Sequence, residues 1–189
     1  NVRLQHVLEW LDIANPDILV LQEIKQVTEA FPEDAFTEAG YVSIASGQKT
    51  YNGVAVISRS QSTDCVTEFP DFEDPQRRIL ACTTDGIRVV NLYVPNGQSL
   101  ESDKYEYKLN WLQALQNFLG SEIKTHKNLV VLGDFNIAPD DRDVYDPEKW
   151  REDVLCSPAE RAALKEITDL GLVDVFRQFD QPENTYSWW

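Results

Sequence analysis

Methionine is absent from the whole sequence of 189 residues, even at position 1. Natural cytosolic chains start with methionine, so we expect that residue 1 is not the native start and that both ends are possible cut points. A chain of this length favours one domain with a sizeable core. We therefore expect residues 1–189 to form a single, partial domain.

Cysteine and histidine are scarce, which excludes several classes of small or metal-bound proteins. The three cysteines, Cys65, Cys82 and Cys156, are far apart and odd in number, and no C-x-x-C pair occurs. This usage indicates neither a disulfide framework nor a zinc site, and it is typical of a reducing cytoplasm, where we expect the protein to be located. The two histidines, His6 and His126, are interpreted as surface residues.

Basic residues and long apolar runs are also few. Lys and Arg number 17 against 32 Asp and Glu, so the formal net charge is -15. Such a surface is repelled by anionic membranes and by phosphate backbones at long range, although a divalent cation can reverse the field within one cleft. No apolar run reaches the length of a membrane span and no signal peptide opens the sequence, so we expect no membrane partner.

Apolar residues follow helical spacing in some segments and form short runs in others. Helices are predicted at 3–13, within 26–39, at 103–119 and from the capped start Ser157-Pro158-Ala159-Glu160 to about 170. Strands are predicted at 17–22, 41–46, 53–58, 77–84, 87–94 and 129–132, and residues 60–76 are predicted to be irregular. Because hairpins alternate with strand–helix units, we expect an α/β sandwich of mixed sheets with helices outside.

The stretch from Asn128 to Asn136 is the one around which the chain is organised. Its four consecutive apolar residues predict a buried central strand, which runs into Gly133 and is followed by Asp134 and Asn136. A spacing of two along an extended chain would place this carboxylate and this carboxamide on the same face. Taken alone, the pattern is equally typical of a turn at a strand end.

Polar side chains follow two other predicted strands. Glu23 closes the strand at 17–22, and Tyr93 lies near the end of 87–94, shortly before Asn96. If these ends meet that of Asp134, one cleft holds carboxylates, amides and a phenol, and such oxygen ligands select Mg²⁺ or Mn²⁺ over zinc. The chemistry that suits this set is metal-assisted attack of water on a phosphoester, with Asp134 handling the water.

Six segments carry a family resemblance when they are taken in chain order. They are "LVLQEIK", "YNGVAVISR", "QRRIL", "NLYVPNG", "LVVLGDFNIAPDDRDVYDPEKW" and "NTYSWW". Together they resemble the exodeoxyribonuclease III group of AP endonucleases, closest to its bacterial members, within the endonuclease/exonuclease/phosphatase superfamily. The resemblance implies a DNase I-like fold, a four-layer sandwich of two mixed β-sheets flanked by helices, here incomplete at both ends.

The resemblance also implies an activity and roles for five residues. The implied enzyme is a Mg²⁺-dependent DNA-repair nuclease, able to use Mn²⁺, that works mostly as a monomer. It cuts duplex DNA 5′ to abasic sites and removes nucleotides from 3′ ends. Glu23 matches the Mg²⁺ ligand, Tyr93 the tyrosine on the scissile phosphate and Asn96 a phosphate-contacting amide. Asp134 matches the residue that activates the attacking water, and Asn136 matches the amide that orients it.

Further matches concern DNA binding. Tyr51 and Asn52 match the loop that enters the DNA groove, with a plain hairpin turn as the alternative. Arg78 matches a phosphate-binding arginine. Trp188 and Trp189 fall where the family places aromatic residues lining the pocket for the base-less sugar. Ordinary core packing is the alternative for both, and it has equal weight for Trp189.

The sequence departs from the family pattern at both ends. The family begins with a "WNVN"-like strand, and we do not match Asn1 to its asparagine. The family's late Asp and its "SDH" motif would follow Trp189. We therefore expect the 189-residue chain alone to hydrolyse little or nothing, and its intact parent to be active. Two alternatives stay open: a phosphatase or phosphodiesterase of the same superfamily acting on a non-DNA substrate, and a DNA-binding fragment without catalysis.

Overall fold

Residues 3–189 are the residues that the computed structural model describes, and they form helices and strands. The helices are α1 (Leu4–Ala14), α2 (Glu33–Glu38), α3 (Asp103–Thr125) and α4 (Pro158–Thr168). The strands are β1 (Ile18–Gln22), β2 (Val42–Ser46), β3 (Val54–Ser58), β4 (Thr63–Val66), β5 (Ile79–Thr84), β6 (Ile87–Tyr93) and β7 (Leu129–Asp134). The interpretation of Asn1 lies outside the described residues.

The chain divides into two compact units. The first contains the described residues up to Tyr93 together with His126–Asp134. The second contains Val94–Thr125 and Phe135–Trp189. A single domain over 1–189 stays a prediction.

Two β-sheets form the first unit. One has the strand order β1-β3-β2 and is antiparallel throughout, and the other has the order β4-β5-β6-β7. Hairpins are present, as expected from the sequence: β2 pairs with β3, and β5 pairs with β6, both antiparallel. Only the second sheet is mixed, because β6 and β7 pair in parallel. A parallel pair needs a long crossover connection, and the segment between β6 and β7 is long enough to provide it.

Strand β3 lies at the centre of the first sheet and is buried over its whole length. Its side chains alternate between two cores. Ala55 and Ile57 pack on the side of α1 and α2, whereas Val54 and Val56 pack against the second sheet. Because both faces are covered, residues 54–57 of this strand are all apolar. The first unit therefore has helices, first sheet and second sheet as successive layers.

A buried amide links the two sheets. Asn91 on β6 donates through Nδ2 to the carbonyl of Leu21 at 3.0 Å and to that of Ala55 at 2.9 Å. Its Oδ1 accepts a hydrogen bond from Gln22 Nε2 at 2.7 Å. These bonds fix the end of β1, the strand that leads directly into Glu23.

Strand β7 is an edge strand of the second sheet among the residues described, and the prediction of a buried central strand is wrong. The strand pairs with β6, and Val130 is 38% exposed. An apolar run indicates which faces avoid water, but it does not specify how many strands lie alongside. The length and position of the strand agree with the sequence pattern.

Helices α3 and α4 contact each other within the second unit. Helix α3 runs past its predicted end to Thr125. Four of its buried residues form an apolar stripe at helical spacing: Trp111, Leu112, Leu115 and Leu119. Helix α4 begins with the predicted capping box: Glu160 N donates to Ser157 Oγ at 3.2 Å, and Ser157 N donates to Glu160 Oε2 at 3.1 Å. Reciprocal caps of this kind satisfy backbone donors that the first turn leaves unpaired.

Strand β4 forms inside the segment that the sequence predicts to be irregular, residues 60–76. Its first three residues are exposed, so no apolar pattern marks it. It pairs with β5 across a register shift, and this pairing alone makes it a strand.

The scarce residue types lie largely as expected. Cys65, Cys82 and Cys156 are all free thiols. His6 is exposed, whereas His126 is half-buried. Within residues 3–189, no helix has both the length and the apolar character needed to cross a membrane.

Candidate active site

Glu23 follows β1 directly and adopts a backbone conformation that is rare for its residue type. Its φ is +52°, and that of Lys25 is also +52°, in the left-handed region. Two backbone hydrogen bonds hold this turn: Ile24 N donates to Gly53 O at 3.2 Å, and Lys25 N donates to Asn52 O at 2.9 Å. Strained non-glycine residues cluster at functional sites, so the turn supports a functional role for Glu23.

The Glu23 carboxylate has a cationic and a phenolic partner. Lys25 Nζ lies 2.5 Å from Glu23 Oε2, and the Tyr93 hydroxyl forms a hydrogen bond with the same carboxylate. The bond from Lys25 is the main reason why the pKa of Glu23 is lowered, against the opposing effect of burial. Burial and the charge of Glu23 raise the pKa of Tyr93, so the phenol stays protonated and remains a hydrogen-bond donor.

Arg78 holds Tyr93 in place. Its guanidinium carbon lies 4.8 Å from the centroid of the Tyr93 ring, and its Nη1 donates to Tyr93 O at 3.1 Å. Tyr93 N in turn donates to Arg78 O at 2.8 Å. Gln76 Oε1 accepts hydrogen bonds from Arg78 Nε at 3.0 Å and Nη2 at 2.8 Å, so the guanidinium plane is fixed.

Tyr51 and Asn52, the predicted DNA-contacting pair, lie in different environments. Tyr51 is 68% exposed, whereas Asn52 is only 8% exposed. Asn52 Nδ2 donates to Gln48 Oε1 at 3.2 Å and to Gln76 Oε1 at 3.0 Å. Asn52 therefore braces its loop and connects it through Gln76 to Arg78, while Tyr51 presents its ring to solvent. Contact with DNA stays a prediction for both residues.

Asp134 ends β7 and is in register with Tyr93 at the end of β6. Neighbouring strands lie about 4.8 Å apart and paired residues project to the same face, so this carboxylate lies beside the phenol. Asp134 and Glu23 line one cavity of about 750 Å³ in the first unit. The structure thus brings Glu23, Tyr93 and Asp134 together, as the strand-end argument predicts.

The donor set at this cavity consists of oxygen atoms. Glu23 and Asp134 supply two carboxylates, and the described residues that line the cavity include neither His nor Cys. Such a set fits a hard cation that is bound through one or two carboxylates and keeps several waters, as Mg²⁺ does. Along residues 3–189, no three His, Cys, Asp or Glu side chains are grouped as a closed metal cage would require.

The second unit carries the two predicted amides, Asn96 and Asn136. Asn96 Nδ2 donates to Asn136 Oδ1 at 3.3 Å, and Asn136 Nδ2 donates to Val94 O at 2.9 Å. Asn136 has a φ of +48°. Because β7 ends at Asp134 and the chain then leaves the extended conformation, the same-face argument for Asp134 and Asn136 is wrong.

The last two tryptophans differ in their surroundings. Trp188 is partly buried against three core residues, Ala138, Val144 and Cys156. Its ring meets that of Trp150 edge-on, with centroids 5.1 Å apart. Trp189 is 69% exposed, so the core-packing interpretation of this residue is wrong. A role of Trp188 in binding a base-less sugar stays a prediction.

Some residues that support the site were not indicated by any motif. Lys108 is fully buried on α3, and a signal for it exists: it precedes Trp111 and Leu112 by three and four residues, within the apolar stripe. A lysine in that position needs a partner. Nothing local marks Asn91, because its bonding partners Leu21 and Ala55 are 70 and 36 residues away in sequence.

Comparison with known proteins identifies the family. The sequence model of the endonuclease/exonuclease/phosphatase family matches residues 1–189. Exodeoxyribonuclease III from Haemophilus influenzae is 33% identical over 186 residues, which cover 92% of this chain and 70% of that protein.

Solved structures agree with this match. NExo from Neisseria, described as a 3′ phosphatase and bound to a product DNA hairpin, is 49% identical with a TM-score of 0.93, covering 94% of this chain and 70% of that one. An AP endonuclease from Archaeoglobus fulgidus is 37% identical with a TM-score of 0.89, covering 94% of this chain and 69% of that one. The predicted α/β fold with two sheets and flanking helices is confirmed, and the protein is an enzyme of the nuclease and phosphodiesterase type. The chain belongs to the endonuclease/exonuclease/phosphatase family, in its exodeoxyribonuclease III and AP endonuclease branch.

Proposed function

We propose that the full-length protein is a Mg²⁺-dependent DNA-repair nuclease that hydrolyses the phosphodiester 5′ to abasic sites and removes nucleotides from 3′ ends of duplex DNA. The observation that carries this proposal is that Glu23 and Asp134 line one cavity, while Tyr93 is hydrogen bonded to Glu23 and in register with Asp134. Two carboxylates and a protonated phenol supply a metal ligand, a base and a hydrogen-bond donor. Each of these kinds of group can accelerate phosphodiester hydrolysis.

Glu23 is the residue proposed to hold the metal ion. Its lowered pKa keeps the carboxylate ionised, and its strained turn is held by the loop that contains Asn52. When bound, Mg²⁺ polarises a phosphoryl oxygen and neutralises developing negative charge. Mn²⁺, which accepts the same oxygen ligands, is expected to substitute for it.

The other side chains act on water and phosphate. Asp134, whose carboxylate is exposed beside Tyr93, is proposed as the base that accepts the proton of the attacking water. Tyr93 is proposed to turn its single phenolic hydrogen from Glu23 to a phosphate oxygen when substrate is bound, and Arg78 keeps the ring in position. Asn136 is proposed to orient the water, and Asn96 to donate to the phosphate.

Binding of duplex DNA is proposed to depend on local groups, because the formal net charge of -15 opposes a phosphate backbone at long range. The exposed ring of Tyr51 is suited to enter a groove, and Trp188 is proposed to contact the sugar at the lesion. We also propose that the protein acts as a cytoplasmic monomer.

A second candidate is hydrolysis confined to 3′ ends, with release of a 3′ phosphate and without incision at abasic sites. It is favoured by the 49% identity to NExo, described as a 3′ phosphatase, against 37% to the AP endonuclease from Archaeoglobus. Both reactions use the same chemistry at phosphorus. They differ in whether an internal phosphodiester can reach the cavity.

Three DNA substrates and one soluble ester separate these candidates. The full-length protein is incubated with a duplex carrying one abasic site, a nicked duplex with a 3′ phosphate, a duplex with a recessed 3′ hydroxyl, and p-nitrophenyl phosphate. We expect a nick 5′ to the abasic site that EDTA abolishes and that Mg²⁺ or Mn²⁺ restores. Phosphate release without nicking supports the second candidate, and hydrolysis of the soluble ester alone supports a non-DNA substrate.

A matched pair of variants ties the activity to the cavity. Asp134→Asn removes the proposed base, and Asp12→Asn removes an exposed carboxylate on α1. We expect the first variant to bind DNA and to cleave at a small fraction of the parent rate, while the second cleaves normally. Equal cleavage by both variants removes Asp134 from the mechanism. Binding without cleavage by the parent itself indicates a non-catalytic DNA-binding protein.

A further inference from the structure

Lys108 is a fully buried lysine whose ammonium group contacts two loops of the second unit at once. Its Nζ donates to Asn96 O at 3.1 Å and to Asn136 O at 2.5 Å. It also donates to Glu160 Oε1. An ammonium group has three donors, so it can engage these three acceptors together.

Glu160 is equally buried and equally engaged. Besides Lys108, its Oε1 accepts a hydrogen bond from Leu155 N at 3.0 Å. Its Oε2 accepts hydrogen bonds from Ser157 N at 3.1 Å and from Ser157 Oγ at 2.5 Å. Burial of two opposite charges is tolerated only with such complete pairing, and a lone buried charge would be expensive.

The methylene stem of Lys108 is also closely enclosed. A Cβ built on Gly97 would lie 3.3 Å from Lys108 Cδ and 3.2 Å from Val154 Cγ2, so nothing larger than glycine fits there without a shift. Gly97 follows Asn96 directly. The turn that contains Asn96 is therefore packed onto the lysine stem and hydrogen bonded to its head.

The bonds of Lys108 bear on the orientation of the two amides. The carbonyls that it holds belong to Asn96 and Asn136, whose side chains are joined at 3.3 Å. Asn136 has a φ of +48°, a conformation that needs support from its surroundings. Two separate loops reach the same ammonium group, so its removal would free both backbones together.

We propose that Lys108, charge-paired with Glu160, is a positioning residue that sets the orientation of the Asn96 and Asn136 side chains. The inference rests on the proposed function in one respect, since these amides act on phosphate and water only if the protein cleaves DNA. Lys108 itself is buried and touches no substrate. Its effect is transmitted through the two carbonyls.

The competing interpretation is that the pair only stabilises the fold, and a double variant separates the two. Lys108→Met removes the ammonium group and leaves the Glu160 carboxylate buried without its opposite charge. Lower stability of this single variant is therefore expected under both interpretations. Lys108→Met combined with Glu160→Gln removes both charges and keeps an acceptor for the helix cap. Replacing a whole buried pair by neutral groups is often tolerated, whereas breaking it is not. Lys165→Met, an exposed lysine on α4, is the matched control.

Kinetics of the full-length protein on abasic duplex DNA give the first readout. We expect the double variant to recover the melting temperature of the parent but to keep a kcat lower by about 10- to 100-fold, with KM nearly unchanged. Loss of kcat with intact stability is what misplaced catalytic groups produce. Recovery of kcat together with stability overturns the proposal, because it leaves the pair with a structural role only.

The side-chain amide resonances of Asn96 and Asn136 give a second readout that needs no substrate. We expect their ¹H–¹⁵N signals to shift and their hydrogen exchange to accelerate in the double variant, while the side-chain amide signal of Asn91, in the first unit, stays in place. In the control Lys165→Met, the Asn96 and Asn136 signals should keep their positions. Unchanged Asn96 and Asn136 signals contradict the proposal. If the parent cleaves no DNA, the proposed function fails, but the amide signals still show whether Lys108 positions the two asparagine side chains.

Discussion

The carbonyl of Ala55 on β3 accepts a hydrogen bond at 2.9 Å from the Nδ2 of Asn91 on β6, so one buried side chain joins the two sheets. The same amide reaches Leu21 O and is itself bonded by Gln22, the residue before Glu23. Asn91 therefore ties the two sheets together at the end of β1 that leads into Glu23. A polar group inside an apolar sandwich is tolerated here because each of these bonds is made.

Replacement of Asn91 is expected to be costly for this reason. Asn91→Leu fits the apolar surroundings but leaves buried carbonyls and the Gln22 amide without this partner, for a loss of about 2 kcal/mol in the free energy of unfolding. Urea denaturation followed by circular dichroism measures the loss. Asn110→Leu, on an exposed position of α3, is the control and should change stability by less than about 0.5 kcal/mol. Equal stability of the two variants would show that the amide contributes no net energy.

The elements of the fold were predictable where the pattern is local. Strand β3 and helix α4 follow from an apolar run and from the capping sequence at Ser157–Glu160, and both form where predicted. The strand-end carboxylates Glu23 and Asp134 follow from the same logic, because polar residues that follow apolar strand segments lie at the carboxyl ends of the strands, where open α/β sheets bind ligands. These features depend on residues that are close in sequence.

The remaining features depend on partners that are distant in sequence. Asn91 bonds across 70 residues and Lys108 pairs with Glu160 across 52, and no periodicity encodes either pair. The edge position of β7 depends on which strands lie beside it, which an apolar run does not specify. The positive φ of Asn136 ends the alternation that the sequence argument extended past Asp134.

Gly133 is expected to tolerate no side chain. Its φ is +138°, and a Cβ there would lie 2.0 Å from Leu92 O on the neighbouring strand β6. Gly133→Ala must therefore push β7 away from β6, with an expected loss above about 3 kcal/mol or failure to fold. Gly86→Ala isolates the contribution of backbone strain, because Gly86 also has a positive φ, of +76°, but no atom within 4 Å of the built Cβ.

Gly86→Ala should lower the free energy of unfolding by only about 1–2 kcal/mol, the cost of a left-handed conformation for alanine. Thermal unfolding of the two variants compares them directly. A Gly133→Ala protein that is as stable as Gly86→Ala would mean that β6 and β7 separate at little cost.

Lys25 is expected to control the ionisation of Glu23. The hydrogen bond from Lys25 is the largest cause that lowers the pKa of Glu23, so Lys25→Met should raise that pKa towards or above the ordinary value of 4.5. Carboxyl ¹³C chemical shifts followed through an acid titration of the metal-free protein measure it. Lys104→Met, at an exposed position of α3, should leave the titration unchanged.

The same pair makes a small contribution to stability that depends on pH. Because the pKa of Glu23 is lowered on folding, its contribution is present above pH 4.5 and is lost as the pH falls through the folded-state pKa. The side chains of Lys25 and Glu23 are 55% and 41% exposed, so solvent screens the pair and the effect is modest. Lys25→Met should flatten the fall in stability below pH 4.5, and an unchanged acid limb would contradict this account.

Tyr93→Phe is expected to separate the hydroxyl from the ring. Phenylalanine keeps the packing against Arg78, whose guanidinium carbon lies 4.8 Å from the ring centroid, so stability should change little. Loss of one donor to a phosphate oxygen should lower kcat by about 10²- to 10³-fold on abasic duplex DNA.

Burial and the nearby Glu23 charge raise the pKa of Tyr93 above its ordinary value of 10.0, so the phenol of the parent stays a donor at every pH up to that value. The ratio of parent to variant kcat should therefore be constant from neutral pH to about pH 10 and should fall only above it. Tyr145→Phe, which alters an exposed tyrosine, is the control for a general effect of removing a phenol. A ratio that already falls near neutral pH would mean that Tyr93 ionises there and does not act as the donor.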